Sequence, residues 1–244
     1  MASTLYGRRV LLRNCGRFLH VAGDFGSNYS THPYLSSEML YAGLTRELSR
    51  RPRTFAEKMS GYDFFGDFDV ASLPVWFTPG ILMNGRAGQA AGRARNLLDT
   101  HLFNSTLEEK PGIQDNDRLP KYGSMETVLP GNLFSALVIA PGEDLLRTYA
   151  EGQVFWMGKK RTMFQIAELG KVAVAELRDE HCVTEYVQVS SQAVNTFEAY
   201  SVLGASQRYL VVSGEGSFEH LSFSSQELRC VPVLSIRSFL DVLE

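Results

Sequence analysis

The stretch Arg8-Arg9-Val10-Leu11-Leu12-Arg13-Asn14-Cys15-Gly16-Arg17-Phe18-Leu19-His20-Val21-Ala22 is the first strand-like run of the chain and sets its fold class. Val10, Leu12 and Asn14 fall on one side of an extended backbone and Leu11 and Arg13 on the other, the period of two that a strand requires. An opening strand is therefore expected over 8–22. Residues 23–32, rich in Gly, Ser, Asn and Thr, read as a loop. Pro33 then reads as the start of a helix whose stripe includes Tyr34, Leu35, Glu38, Met39, Tyr41, Ala42, Leu44 and Leu48. Arg46, Arg50 and Arg51 would complement the dipole at its C-terminal end, and Pro52 closes it.

Further along, residues 75–78 read as a strand ended by the turn pair Pro79-Gly80. Residues 81–128 interleave glycines and prolines with Arg86, Arg93, Arg95, Lys110, Arg118 and Lys121. That is too long and irregular for an ordinary connection, so it is expected to be an insertion with a function of its own. Strands are expected at 133–140, 154–157, 164–168, 171–177, 183–190, 200–203, 208–213 and 228–234. Short helices are expected at 142–149 and 235–243. The sum is an α+β fold, mostly antiparallel, in one domain spanning 1–244 with the insertion at about 81–128.

The chain has 244 residues, 44% hydrophobic and 21% charged, with a formal net charge of −3. This excludes collagen-like, disordered and membrane-embedded classes, and no apolar run approaches the length of a membrane span. Cys15, Cys182 and Cys230 are too few and too scattered for a disulfide framework and read as buried thiols of a cytoplasmic protein. The charge is uneven: residues 1–60 carry nine bases against four acids, whereas residues 181–244 carry three against seven. One basic region on a near-neutral chain suggests a local anionic partner or a solvated helix end.

Several chemistries have no motif. Gly158-Lys159-Lys160 lacks the leading glycine of a phosphate loop, and Gly85, Gly88 and Gly92 are not spaced as a dinucleotide fingerprint. The five histidines form no H-x-x-x-H pair, and adjacent His181 and Cys182 would point to opposite faces of a strand. No cofactor and no metal are expected on these grounds.

Two constellations survive. Gly85-Arg86-Ala87-Gly88, with Arg93 and Arg95 behind it, has the form in which backbone amides approach phosphates, and equally that of a solvated loop. Phe155-Trp156-Met157-Gly158-Lys159-Lys160-Arg161 is an apolar strand that stops at a glycine before three consecutive cations, a rigid support for phosphate contacts. Trp156, between Phe155 and Met157, reads as core, as do Tyr34 and Tyr41; Lys121 and Tyr122 add a cation and a stacking ring.

The order of Tyr34-Leu35 and Tyr41-Ala42, Trp76-Phe77-Thr78-Pro79-Gly80, Leu119-Pro120 with Gly123, Leu129-Pro130-Gly131 with Phe134, and Met157-Gly158-Lys159-Lys160 resembles a known family over residues 8–166. That family is the small, non-catalytic RAMP subunit (Csc-type) of type I-D CRISPR surveillance complexes, which caps the crRNA 5′ handle. The resemblance implies a ferredoxin-like, RRM-like core with a β-hairpin thumb at 81–128. It implies RNA contacts from Lys159, Lys160, Arg161, Arg86, Arg93, Arg95, Gly85, Gly88, Lys121 and Tyr122, leaving open which of the three consecutive cations takes the family position. The implied partners are the crRNA, the backbone subunit and the large subunit, with target double-stranded DNA near the PAM as a further contact to be tested. Two other readings stand beside it: a metal-independent endoribonuclease using His20, Tyr29 and Lys159, and an unrelated α+β interaction protein.

Overall fold

The computed structural model describes residues 4–24, 28–49, 64–83, 97–105, 121–157, 162–206, 208–225, 228 and 230–243. The first strand, β1, covers Leu5–Asn14 and is shorter than the stretch from which it was read. Val10 and Leu12 are buried in the main core, and Asn14 is fully buried on the same side, as the alternation requires. Val21 and Ala22, read as the end of that first strand, instead open a separate short strand, β2 (Val21–Asp24), and the segment read as a loop holds the rest of it and β3 (Asn28–Thr31). Polar composition hid them because their edges pair outside the main sheet: β2 with β3, and β3 in parallel with a later strand.

Tyr34–Leu35 forms a strand, β4, and not the first turn of a helix. Helix α1 spans Ser37–Ser49 because Ser36 caps it: its Oγ accepts a hydrogen bond from the Met39 backbone N–H at 3.2 Å. Leu40, Tyr41 and Leu44 form its buried stripe. A one-turn helix α2 (Phe64–Asp67) and strands β5 (Trp76–Phe77) and β6 (Gly80–Leu82) follow. Gly80 therefore begins a strand instead of closing a turn. Strands β7 (Leu98–Ser105) and β8 (Lys121–Val128) pair antiparallel, so the insertion has a regular two-stranded stem.

Strand β9 (Leu133–Ala140), helix α3 (Glu143–Arg147) and strand β10 (Val154–Met157) come next. The single strand β11 then runs over Thr162–Val189, where the sequence suggested three. It stays continuous because a partner lies beside it throughout. β1 pairs with its first half, and β13 (Leu210–Phe223) pairs with its second, with bulges absorbing the shifts in register. A 3₁₀ turn (Ala193–Thr196), β12 (Ala199–Ala205), β14 (Val231–Pro232) and helix α4 (Val233–Leu243) complete the chain.

The large sheet runs β12-β13-β11-β1-β9-β6-β4, and a second sheet runs β2-β3-β8-β7. Within the first, the chain order β1-α1-β6-β9-α3-β11 gives the spatial order β11-β1-β9-β6, with all three pairings antiparallel. That is the split βαβ arrangement of a ferredoxin-like core, so the fold is α+β and mostly antiparallel. Phe164 on β11 anchors the side facing α1: it lies edge-on to Phe18 at 5.1 Å, and 5.9 Å from Phe134 and 6.0 Å from Phe155. Helix α1 comes close to β10 at Gly43, where an added methyl would lie 2.5 Å from Met157 Cγ. The sheet also curls. Tyr34 of β4, Ile81 of β6 and Val211 of β13 share one buried cluster, so strands far apart in the pairing order meet in space.

The two sheets join at Asn14. Its Nδ2 donates to the carbonyls of Leu129 (2.7 Å) and Gly16 (3.0 Å), and Phe18 exchanges backbone hydrogen bonds with Val128. Buried carbonyls at a strand end need such a donor, and a side-chain amide supplies it. Among the described residues, no helix is long and apolar enough to cross a membrane.

Candidate nucleic-acid interface

Trp156 corrects the sequence reading, because its neighbours take the core and it does not. Phe155 and Met157 are buried beneath α1, while Trp156 is 54% exposed on the opposite face. The register shows why. In the β10–β11 pair, Phe155 lies opposite Phe164, and Trp156 lies opposite Met163. Directly opposed residues share a face, so the alternation that buries Phe155 sends Trp156, Met163 and Val154 outward together. The result is an exposed apolar strip on an edge strand.

Arg13 of the first strand lies beside this strip, and Arg17, just past that strand, reaches toward the second sheet. Arg13 pairs with Gln165 in the ladder, and Gln165 is the partner of Val154. Arg17 is exposed and donates to Asp99 of β7 at 2.6 Å, while its backbone carbonyl accepts from Thr162 Oγ1 at 3.0 Å. Both side chains of that ion pair are largely solvated, so the pair is weak and exchangeable. A flat indole held by a strand, with a cation beside it, is a surface on which a base can stack while its phosphate is neutralised.

The stem of the insertion is a second exposed element. Leu102 on β7 is 86% exposed, an apolar side chain with almost no cover from its own chain. Lys121 and Tyr122 lie at the outer end of the stem, opposite Ser105 and Asn104, whereas Val128 at the inner end meets Phe18. Gly85, Arg86, Gly88, Arg93, Arg95, Lys159, Lys160 and Arg161 lie outside the described residues. The exposed Trp156 was legible in principle, because alternation about Phe155 and Met157 predicts it once those two are assigned to the core.

Of the ribonuclease candidates, His20 is the one whose surroundings are well defined. Its Nδ1 donates to the Tyr34 carbonyl at 2.9 Å, and its ring packs against His32 at 4.8 Å and Tyr34 at 5.2 Å. Burial lowers its pKa below the usual histidine value, the bond to the Tyr34 carbonyl offsetting part of this. The Tyr34 phenol, buried and beside Tyr209, is pushed far above the ordinary tyrosine range. Tyr29 sits on β3, and Lys159 is outside the described residues. Cys15 is exposed, against the expectation of a buried thiol, whereas Cys182 and Cys230 are partly buried.

A cavity of about 430 Å³ lies between the ferredoxin-like sheet and the second half of β11. Arg9, Ser135, Leu137, Glu185 and Tyr186 are among its walls, and Arg9 Nε donates to Ser135 Oγ at 3.2 Å. No motif in the sequence points to it, because β11 reaches it only through the curl of the sheet.

No protein-family model matches the chain, and no curated protein sequence matches it. Among solved structures it is similar to a chain of the Type III-B Cmr-beta complex bound to cognate target RNA. The identity is 16% and the TM-score 0.40, covering 69% of this chain and 61% of that one. The matched part thus spans about three fifths of that chain. It is also similar to a chain of the same complex bound to cognate target RNA and AMPPnP, in state 1. There the identity is 10% and the TM-score 0.40, covering 88% of this chain and 86% of that one.

Proposed function

We propose that this protein is a non-catalytic RNA-binding subunit of a CRISPR ribonucleoprotein, of the type I-D kind, that caps the crRNA 5′ handle in the cytoplasm. The carrying observation is the outward-facing Trp156, with Val154 and Met163, on the edge of a ferredoxin-like sheet. In sequence this strand leads directly into Gly158-Lys159-Lys160-Arg161. A single-stranded handle is held by stacked bases and phosphate contacts, which is what such an edge and such a run would supply. Arg86, Arg93 and Arg95 would add phosphate contacts from the insertion. The exposed Leu102 on the stem suits a contact with a neighbouring subunit. The repeated backbone subunit, the large subunit and PAM-proximal DNA are the partners this role would bring.

The competing reading as an endoribonuclease is less well supported by the surroundings of His20. A general base needs access to its proton, and this imidazole has its Nδ1 engaged with a backbone carbonyl among packed aromatic rings.

The test is purification of the tagged chain from its native host at moderate salt, with sequencing of the bound RNA. CRISPR-derived RNA is expected. Reversing the charges of Lys159, Lys160 and Arg161 together should abolish RNA retention. Trp156→Ala should weaken it by about 1–3 kcal/mol, the cost of losing one stacked base. Both variants should keep the parental melting temperature. Full RNA retention by the folded triple variant would overturn the proposal. So would a discrete cleavage product from repeat RNA, with no divalent metal added, that disappears in His20→Ala.

A further inference from the structure

Cys182, His220 and Cys230 are far apart in sequence, yet folding gathers them on one side of the second half of β11. Cys182 lies on β11 opposite Gly216 of β13. Two residues on, Thr184 bridges in parallel to Cys230, which stands immediately before β14. His220 is on β13 and pairs with Pro232, so the strand that follows Cys230 is held against the strand that carries the histidine. The outcome is that both sulfurs and an imidazole nitrogen lie within 4.8 Å of one another.

The local chemistry is that of a metal site. His220 is buried, and its Nδ1 lies 3.0 Å from the Phe218 carbonyl. A carbonyl only accepts, so Nδ1 carries the proton and the lone pair is on Nε2. A backbone carbonyl that fixes the tautomer in this way is the usual outer partner of a ligating histidine. The Cys230 thiol donates to the Val183 carbonyl at 3.0 Å; a thiolate has no proton to donate, so ligation would exchange this hydrogen bond for the bond to the metal.

Two sulfurs and one nitrogen select a borderline-soft cation and disfavour calcium or magnesium, which need oxygen ligands. Bonds of about 2.3 Å to sulfur and about 2.0 Å to nitrogen place tetrahedral ligands about 3.5 Å apart, so small side-chain rotations bring these three to the required spacing. We propose that Cys182, His220 and Cys230 bind one Zn²⁺ ion, with water in the fourth position. The ion staples the chain entering α4 to the β11–β13 pair. Binding converts both thiols to thiolates and releases two protons to solvent, so the site gains two negative charges against the two positive charges of the ion. This site is independent of the proposed RNA interface.

The test is elemental mass spectrometry on the full-length protein, purified without chelator, incubated with zinc chloride and freed of excess ion. About one zinc per chain is expected, together with a melting temperature that falls when EDTA is added and recovers with zinc. Cys182→Ser removes a direct ligand and should lower zinc affinity by more than the roughly 10- to 100-fold that loss of an outer partner costs. Cys182 is only partly buried, so this variant should keep the fold, and Cys230→Ser provides a second variant should His220→Gln fail to fold. Zinc should also protect two thiols from a colourimetric thiol reagent, and EDTA should release both. Zinc at less than about a tenth of an equivalent in the folded wild type overturns the proposal. Undiminished zinc in the folded double serine variant, or a Cys182–Cys230 disulfide in place of zinc, does the same.

Discussion

The two halves of β11 belong to one strand and obey different physics. In the first half, Phe164 and Ile166 are buried against β1, β9 and α1. In the second, residues 176–181 are all exposed, and Leu177 is 57% exposed although its backbone pairs with Leu221. Hydrogen bonding is continuous through this stretch, while apolar burial lapses over 176–181 and resumes at Val187 and Val189, which sit in a second core cluster with Val212 and Phe218. A ladder defines where a strand runs, but each of its hydrogen bonds adds little net stability, because the unfolded chain bonds to water instead. Burial therefore decides which segments of the strand hold the fold together, the two ends and not the stretch 176–181 between them.

The comparison breaks most visibly with a pair of truncations. Phe164→Ala removes a ring at the centre of four packed aromatics and should destabilise the protein by about 3–5 kcal/mol. Leu177→Ala, in the same strand, should change stability by no more than about 0.5 kcal/mol. Urea denaturation of the two variants measures the difference directly. Equal losses would mean that residues 176–181 pack against something as closely as the core does, contrary to their exposure.

A second variant sharpens the account of how the halves meet. A methyl on Gly204 of β12 would come 2.5 Å from Cε1 of Tyr34, a ring with no exposed surface and little room to move. Gly204→Ala should therefore cost about 1–3 kcal/mol through overpacking. Gly142→Ala, where an added methyl meets nothing within 4 Å, should cost much less. Similar stabilities for the two would show that β12 and β4 do not approach each other as described.

The sequence disclosed what short-range physics controls. Strands 133–140 and 154–157 appear with the expected bounds, because clear apolar runs between turn residues mark them. Pro33 misled because a capping serine three residues later fixes the helix start, and Tyr34–Leu35 instead pair with Gly80 and Ile81. Polar strands β2 and β3 escaped notice because they carry no apolar alternation of their own. β11 looked like three strands because Gly170 and the charged run from Arg178 to Glu180 resemble turn punctuation, and only partners distant in sequence keep the strand going. The Cys182-His220-Cys230 cluster had no local signature for the same reason. Its spacing is set by the pairing of β13 with β11 and β14 and by no motif. Lys121 and Tyr122 take defined places on β8, whereas the other residues expected to contact RNA fall outside the described structure.

The smallest effect comes from a proton. His20 belongs to the junction between the two sheets, donating to the Tyr34 carbonyl and stacked among His32 and Tyr34. Burial lowers its pKa in the folded state, so the unfolded chain binds a proton that the folded chain refuses. Stability then rises with pH wherever the unfolded state holds more protons. The contribution of His20 is complete above the ordinary histidine value of 6.5 and is lost progressively as the pH falls from there through the lowered value of the folded state. Calorimetric melting between about pH 8 and pH 5.5 should therefore show a decline on the acid side that His20→Gln reduces, since glutamine can keep a donor near the carbonyl and does not titrate. The variant is expected to melt lower at pH 8, where the packing of the imidazole is lost without compensation, and to narrow its deficit toward pH 5.5. A deficit that widens on acidification would mean that His20 is protonated in the folded protein and paired with an acid. That result would return it to the list of candidate proton donors for RNA chemistry.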